Sequence, residues 1–142
     1  MEVSDVRRRL RAAIEDAKRR SAERRTRADE AARAWDDVLT PVVVPAFHAV
    51  ASALSGEGLR FKVETPGTAA RLAPERSPGE FVELALDTER EGPAVLIRSS
   101  RGRGRRMVSS ERVAREGAAI PSLTQEDVVE LLLEELVPFI GR

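Results

Sequence analysis

The sequence contains no cysteine and no tyrosine, and only two lysines, among its 142 residues. Without cysteine, neither a disulfide framework nor a thiolate metal site can form. No run approaches the roughly 18 apolar residues that span a bilayer, and the N-terminus has no apolar signal segment. We therefore expect a cytoplasmic protein without a membrane-spanning segment.

The residue types that perform catalysis are present but do not form a catalytic motif. The only histidine, His48, has Val44 and Ser52 one helical turn away, neither of which offers a carboxylate or an imidazole. No Gly-x-Ser-x-Gly or phosphate-binding Gly-Lys-Ser/Thr sequence occurs. Adjacent carboxylates at 36–37, 126–127 and 134–135 should diverge around a helix. We expect no enzyme activity, no cofactor and no metal site.

Charges balance overall but are segregated along the chain. The 24 basic residues equal the 24 acidic residues, which argues against attachment to nucleic acid or a membrane by net charge alone. The net charge is +4 over residues 1–35, −5 over 36–91, +5 over 92–116 and −4 over 117–142. Such blocks can form charged patches on the folded surface.

Residues from about 4 to 54 carry a helical pattern. In the first part, apolar or small side chains recur every three or four positions, and arginine and glutamate fill much of the space between them. This thin stripe would bury little area alone, so the helix should lie on its own domain or pair with a second copy. The stripe residues that we assign to self-association are Val6, Leu10, Ala13, Ala17, Ala28, Ala31 and Trp35.

Two interpretations are open at Thr40-Pro41. Threonine is a good N-cap and proline suits a first helical turn, so a second helix could begin there. Alternatively, one long helix could be kinked at Pro41 and again at Pro45. In both cases the apolar stretch 42–54 belongs to the core, and the glycines of segment 55–58 end the helix.

After this helix the apolar period changes to two, which is typical of strands. The alternating segments are Leu59–Val63, Ala69–Leu72, Phe81–Asp87, Ala94–Ser99 and Arg105–Val113. Their short connections predict an antiparallel meander. Thr124–Asp127 fits a capping box that begins a C-terminal helix. The predicted fold class is α+β: a long N-terminal helix, a four- to five-stranded antiparallel meander, and a C-terminal helix packed on the sheet.

The most unusual charge pattern lies between the last two predicted strands. A loop rich in arginine and glycine can present several guanidinium and backbone N–H groups to one anion. Equally, it could be a solvated turn whose arginines pair with Glu80, Glu83 or Glu111. The residues that we assign to anion or partner binding are Arg98, Arg101, Arg103, Arg105 and Arg106.

Several segments together resemble a family of small uncharacterised bacterial proteins. They are Gly56–Pro66, Phe81–Asp87, Arg101–Arg106, Leu123–Val129 and Leu136–Phe139, so the resemblance covers roughly residues 35–140. It implies no activity, cofactor or catalytic residue, and it supports only the domain boundaries.

These patterns divide the chain into a charged, alanine-striped helix at residues 1–34, a candidate coiled coil, and an α+β globular domain at residues 35–142. They predict a non-enzymatic interaction module that forms a homo-oligomer through its N-terminal helix. Its arginine-rich hairpin would dock an anionic partner, such as an acidic protein surface. The alternative is direct nucleic-acid binding through the hairpin and the basic helix.

Overall fold

A computed structural model, which describes residues 1–141, confirms the α+β fold class. Helix α1 (Val3–Val38) passes through a π-helical turn (Leu39–Val43) into helix α2 (Val44–Gly56). The strands are β1 (Phe61–Glu64), β2 (Ala70–Pro74), β3 (Phe81–Asp87), β4 (Ala94–Arg103) and β5 (Arg106–Glu116). A 3-10 helix (Gly117–Ser122) leads into helix α3 (Gln125–Ile140).

The first two helices form one continuous helical segment, so no new helix is capped at Thr40. The N–H of Leu39 donates to the carbonyl of Trp35, and the N–H of Val44 donates to the carbonyl of Leu39. Pro41 has no N–H, and its ring would collide with a carbonyl one α-helical turn earlier. A local π-helical turn absorbs the proline without ending the helix.

The strands form one antiparallel sheet in the order β1-β2-β3-β4-β5, which confirms the predicted meander. One face of the sheet meets the helices. The core between them includes Leu72, Leu84 and Ile97 from the sheet and Phe47 and Leu132 from the helices.

Helix α1 joins this core only at its C-terminal end. Its buried residues are Ala31, Trp35 and Val38, and the indole N–H of Trp35 donates to the carbonyl of Thr68 at 2.6 Å. All earlier side chains are exposed or half-buried. We call residues 3–30 the arm; at 1.5 Å per residue it is about 40 Å long.

This arrangement corrects one prediction about the N-terminal helix. Ala31 and Trp35, which we assigned to self-association, are 4% and 1% exposed in the core of their own chain, so they are not available to a second copy. The boundary placed after residue 34 falls inside α1, and the first core contact comes earlier, at Ala31. Residue 142, the end of the second predicted domain, lies outside the described residues.

The capping box at the start of α3 is confirmed. The hydroxyl of Thr124 accepts the N–H of Asp127 at 3.1 Å, and the carboxylate of Asp127 accepts the N–H of Thr124 at 3.0 Å. The guanidinium of Arg115 on β5 lies 2.8 Å from the same carboxylate. Through this ion pair, the capping residue Asp127 connects the C-terminal helix to the last strand.

The helical segment Val3–Gly56 also bears on membrane insertion. One 18-residue window of this segment has a mean hydropathy of 1.7. By length and composition alone, the helix is therefore long and apolar enough to cross a membrane. Of that window, 33% is buried inside the protein, and the core helix of a soluble protein meets the same criterion. The absence of a membrane span stays a prediction.

Candidate interaction surfaces

A row of charged side chains crosses all five strands of the sheet. The strand register aligns them in the order Glu64, Arg71, Glu83, Arg98 and Glu111, so the charge alternates from each strand to the next. Ion pairs of 2.9 Å join Arg71 to Glu83 and Arg98 to Glu111. Opposite charges at directly opposed positions stabilise a sheet, so we assign this row to stabilisation of the fold.

Arg98 belongs to this charged row, whereas the other arginines of the predicted anion site do not. Arg98 pairs with Glu111 in the middle of β4. Side chains alternate between faces along a strand, so Arg98 points to the face opposite Arg101 and Arg103. We therefore remove Arg98 from the candidate site.

The remaining four arginines stay together at the end of the β4–β5 hairpin, which we call the tip (residues 101–108). The pairing of β3 with β4 ends at Ser100, so the tip extends beyond the sheet as two strands. Arg101 pairs with Val108, and the predicted loop narrows to a two-residue turn at Gly104-Arg105. Gly104 has a φ of +63°, which suits the first turn position of a type II′ hairpin.

The tip concentrates positive charge around one carboxylate, that of Glu80, which accepts the N–H of Gly102. Arg103 lies directly opposite Arg106, and Arg101 lies on the same face. Among residues 1–141, neither these three nor Arg105 forms an ion pair. Like charges opposed across a strand pair are destabilising, and a bound anion would relieve them. The predicted pairing with Glu111 is present at Arg98, and for the tip both interpretations, anion binding and a solvated turn, stay predictions.

The arm carries an apolar stripe with basic flanks. Val6, Leu10 and Ile14 are 45%, 57% and 46% exposed and follow one another at four-residue spacing. Ala13 and Ala17 continue the stripe and are exposed, whereas Ala28 is half-buried at the base of the arm. Ile14 was not among the predicted stripe residues because the three- to four-residue spacing was followed through the neighbouring Ala13.

The flanks of this stripe place cations beside the apolar side chains. Arg7 and Arg11 lie three residues before Leu10 and Ile14, and Lys18 lies four residues after Ile14, so all three are neighbours of the stripe on the helix surface. None of the three forms an ion pair within the described chain.

A second apolar surface, which we call the groove, lies between α2 and α3 and has a volume of about 620 Å³. Its lining residues are Ala49, Val50, Ala53, Leu54, Glu57, Leu59, Val129, Leu133 and Ile140. Leu133 is 51% exposed, Ile140 48%, and the neighbouring Val137 65%. Sequence periodicity predicted an amphipathic α3, but it did not show that the apolar face is wider than the surface covered by the sheet.

One carboxylate, that of Glu57, lines the groove, and two more lie one helical turn from residues that line it. Helix α3 contains five acidic and no basic residues. Glu126 and Glu130 lie one turn before Val129 and Leu133, and Glu57 follows the end of α2. In the part of the chain that the structure describes, these three carboxylates form no ion pair.

One expectation about adjacent carboxylates is wrong. Glu134 and Glu135 converge on a single guanidinium, since Nη2 of Arg112 lies 2.9 Å from Glu134 and Nε lies 2.9 Å from Glu135. Their side chains are long enough to reach Arg112 from different directions. This cluster joins α3 to β5.

His48 lies on the exposed side of α2. Among residues 1–141, no group of three or more acidic or histidine side chains could hold a metal ion.

No protein-family model, curated protein or solved structure matches this chain. The resemblance to small bacterial proteins stays a prediction.

Proposed function

We propose that this protein is a non-enzymatic interaction module that self-associates through the stripe of its arm and docks an anionic partner at its tip. The observation that carries the proposal is the exposure of Val6, Leu10 and Ile14 on a helix whose core contacts begin only at Ala31. Most helical stability comes from packing of an apolar face. A long arm with such a face is expected to be covered in an assembly.

The tip supports the second part of the proposal. Arg101, Arg103 and Arg106 share one face, and arginine forks suit carboxylate or phosphate groups. An acidic protein surface would bring several carboxylates to this face. Direct nucleic-acid binding is the second candidate, favoured by the same arginines together with the basic flanks of the arm.

Self-association is tested by placing charges on the stripe. We expect a Leu10→Glu, Ile14→Glu variant to be monomeric because two carboxylates would have to be buried. A control with Ala12→Glu and Thr26→Glu adds the same charge on the opposite side of the helix and should keep the parent mass. Light scattering over a range of protein concentrations measures the difference.

A parent chain that remains monomeric at every concentration would contradict the proposal. Equal dissociation of both variants would show that added negative charge, rather than loss of the stripe, disrupts the assembly.

A further inference from the structure

We infer that the stripe of one copy binds in the groove of a second copy. This inference rests on the proposed self-association and specifies the surface that receives the arm. Three observations support it: the stripe and the groove have compatible dimensions, their charges are complementary, and they lie far apart within one chain.

The two apolar surfaces have compatible dimensions. Val6 and Ile14 are eight residues apart, or about 12 Å along the helix, and Val129 and Ile140 are eleven residues apart, or about 16 Å. Ala49 and Ala53 form the α2 side of the groove. Their small side chains would let a third helix approach α2 closely, while Leu133 of α3 would contact the stripe.

The charges are complementary on the same surfaces. Arg7, Arg11 and Lys18 border the stripe. Glu57 lines the groove, and Glu126 and Glu130 precede its lining residues Val129 and Leu133 by one helical turn. Docking would bring unpaired cations to unpaired carboxylates. Pairing of two arms would instead place these cations beside other cations or beside a flank of mixed charge, because Glu2, Arg9 and Asp16 follow one another at seven-residue spacing on the other side of the stripe. Charge complementarity therefore favours the groove over a second arm.

The occupant must come from another molecule. Leu10 and Ala49 belong to the same continuous helical segment and lie 39 residues apart, or about 60 Å along its path. The arm therefore cannot fold back onto its own groove without breaking the helix. A reciprocal exchange would fill both grooves and set the two α1 helices antiparallel in a closed dimer.

Disulfide trapping in the full-length chain tests this arrangement, because every introduced cysteine is unique. Leu10→Cys and Leu133→Cys are placed in separately tagged, co-expressed copies. We expect oxidation to form a disulfide-linked heterodimer between arm and groove. Ala12→Cys, on the opposite side of the arm, replaces Leu10→Cys as the matched control and should give little product.

A second measurement does not depend on disulfide geometry. Leu133→Glu with Val137→Glu should convert the oligomer into a monomer, and both positions are exposed, so the fold should be retained. An unchanged mass, or Leu10→Cys linking mainly to itself, would overturn the inference while leaving self-association through the stripe intact. A monomeric parent chain would overturn both.

Discussion

Asp127 shows how a single carboxylate can connect two parts of this chain. Its hydrogen bonds with the backbone and side chain of Thr124, followed by the charge of Arg115, lower the pKa of Asp127 below its ordinary value of 3.8, against the opposing effect of burial. The folded state therefore favours the charged carboxylate more strongly than the unfolded state does.

We expect the stability contributed by Asp127 to be lost in acid. It is fully present well above pH 3.8 and declines as the pH falls through the lower pKa of the folded state. Asp127→Asn should lower the free energy of unfolding near neutral pH, and its difference from the parent should shrink below pH 3.8. Urea unfolding at several pH values measures this difference, with exposed Glu91→Gln as control. A difference that grows in acid would contradict the prediction.

Other residues show where local sequence stops being informative. The spacing of Thr124 and Asp127 predicted their contact because both partners lie within one helical turn. Trp35 was placed on the self-association stripe, yet its indole contacts Thr68, which is 33 residues away. Helical periodicity identifies an apolar face but does not say whether the chain's own core or a second molecule covers it.

Among the elements, the sheet was predicted best where apolar alternation was regular. The bounds of β3 at Phe81–Asp87 agree with the prediction, whereas β4 extends four residues beyond Ser99 to Arg103. Gly102 made that extension resemble a loop, but it pairs with Met107, and its N–H donates to the carboxylate of Glu80. Such pairing depends on the register between strands, which alternation alone does not determine.

The charged row gives a stability prediction at the scale of the sheet. Glu83 lies between Arg71 and Arg98 with only 8% of its side chain exposed, so Glu83→Gln would leave a largely buried ion pair without its anion. We expect a loss of about 1–3 kcal/mol in the free energy of unfolding. Glu111→Gln, at the 56% exposed end of the row, should cost less than about 1 kcal/mol. Equal losses in urea unfolding would show that burial does not determine the strength of these pairs.

For the whole molecule, the segregated charges of the sequence become distinct surfaces. The first basic block forms the arm, the second includes the tip, and the last acidic block includes α3. Composition predicted the sign of each surface. It could not predict that Glu57 lines an apolar groove, because α2 and α3 are brought together by the tertiary fold.

The tip can be tested separately from self-association. A tip variant with Arg103→Ala, Arg105→Ala and Arg106→Ala lacks three guanidinium groups. The control variant replaces the exposed Arg60, Arg76 and Arg90 with alanine, so its net charge changes by the same amount. We expect a polyglutamate peptide to bind the tip variant about tenfold more weakly than the control, because charge-assisted hydrogen bonds are lost. Both variants should retain the parent mass.

Titration with short duplex DNA tests the alternative partner: tight, steeply salt-dependent binding that disappears only in the tip variant would favour nucleic acid as the partner. Equal affinity of both variants for peptide and DNA would exclude the tip as the anion-binding surface.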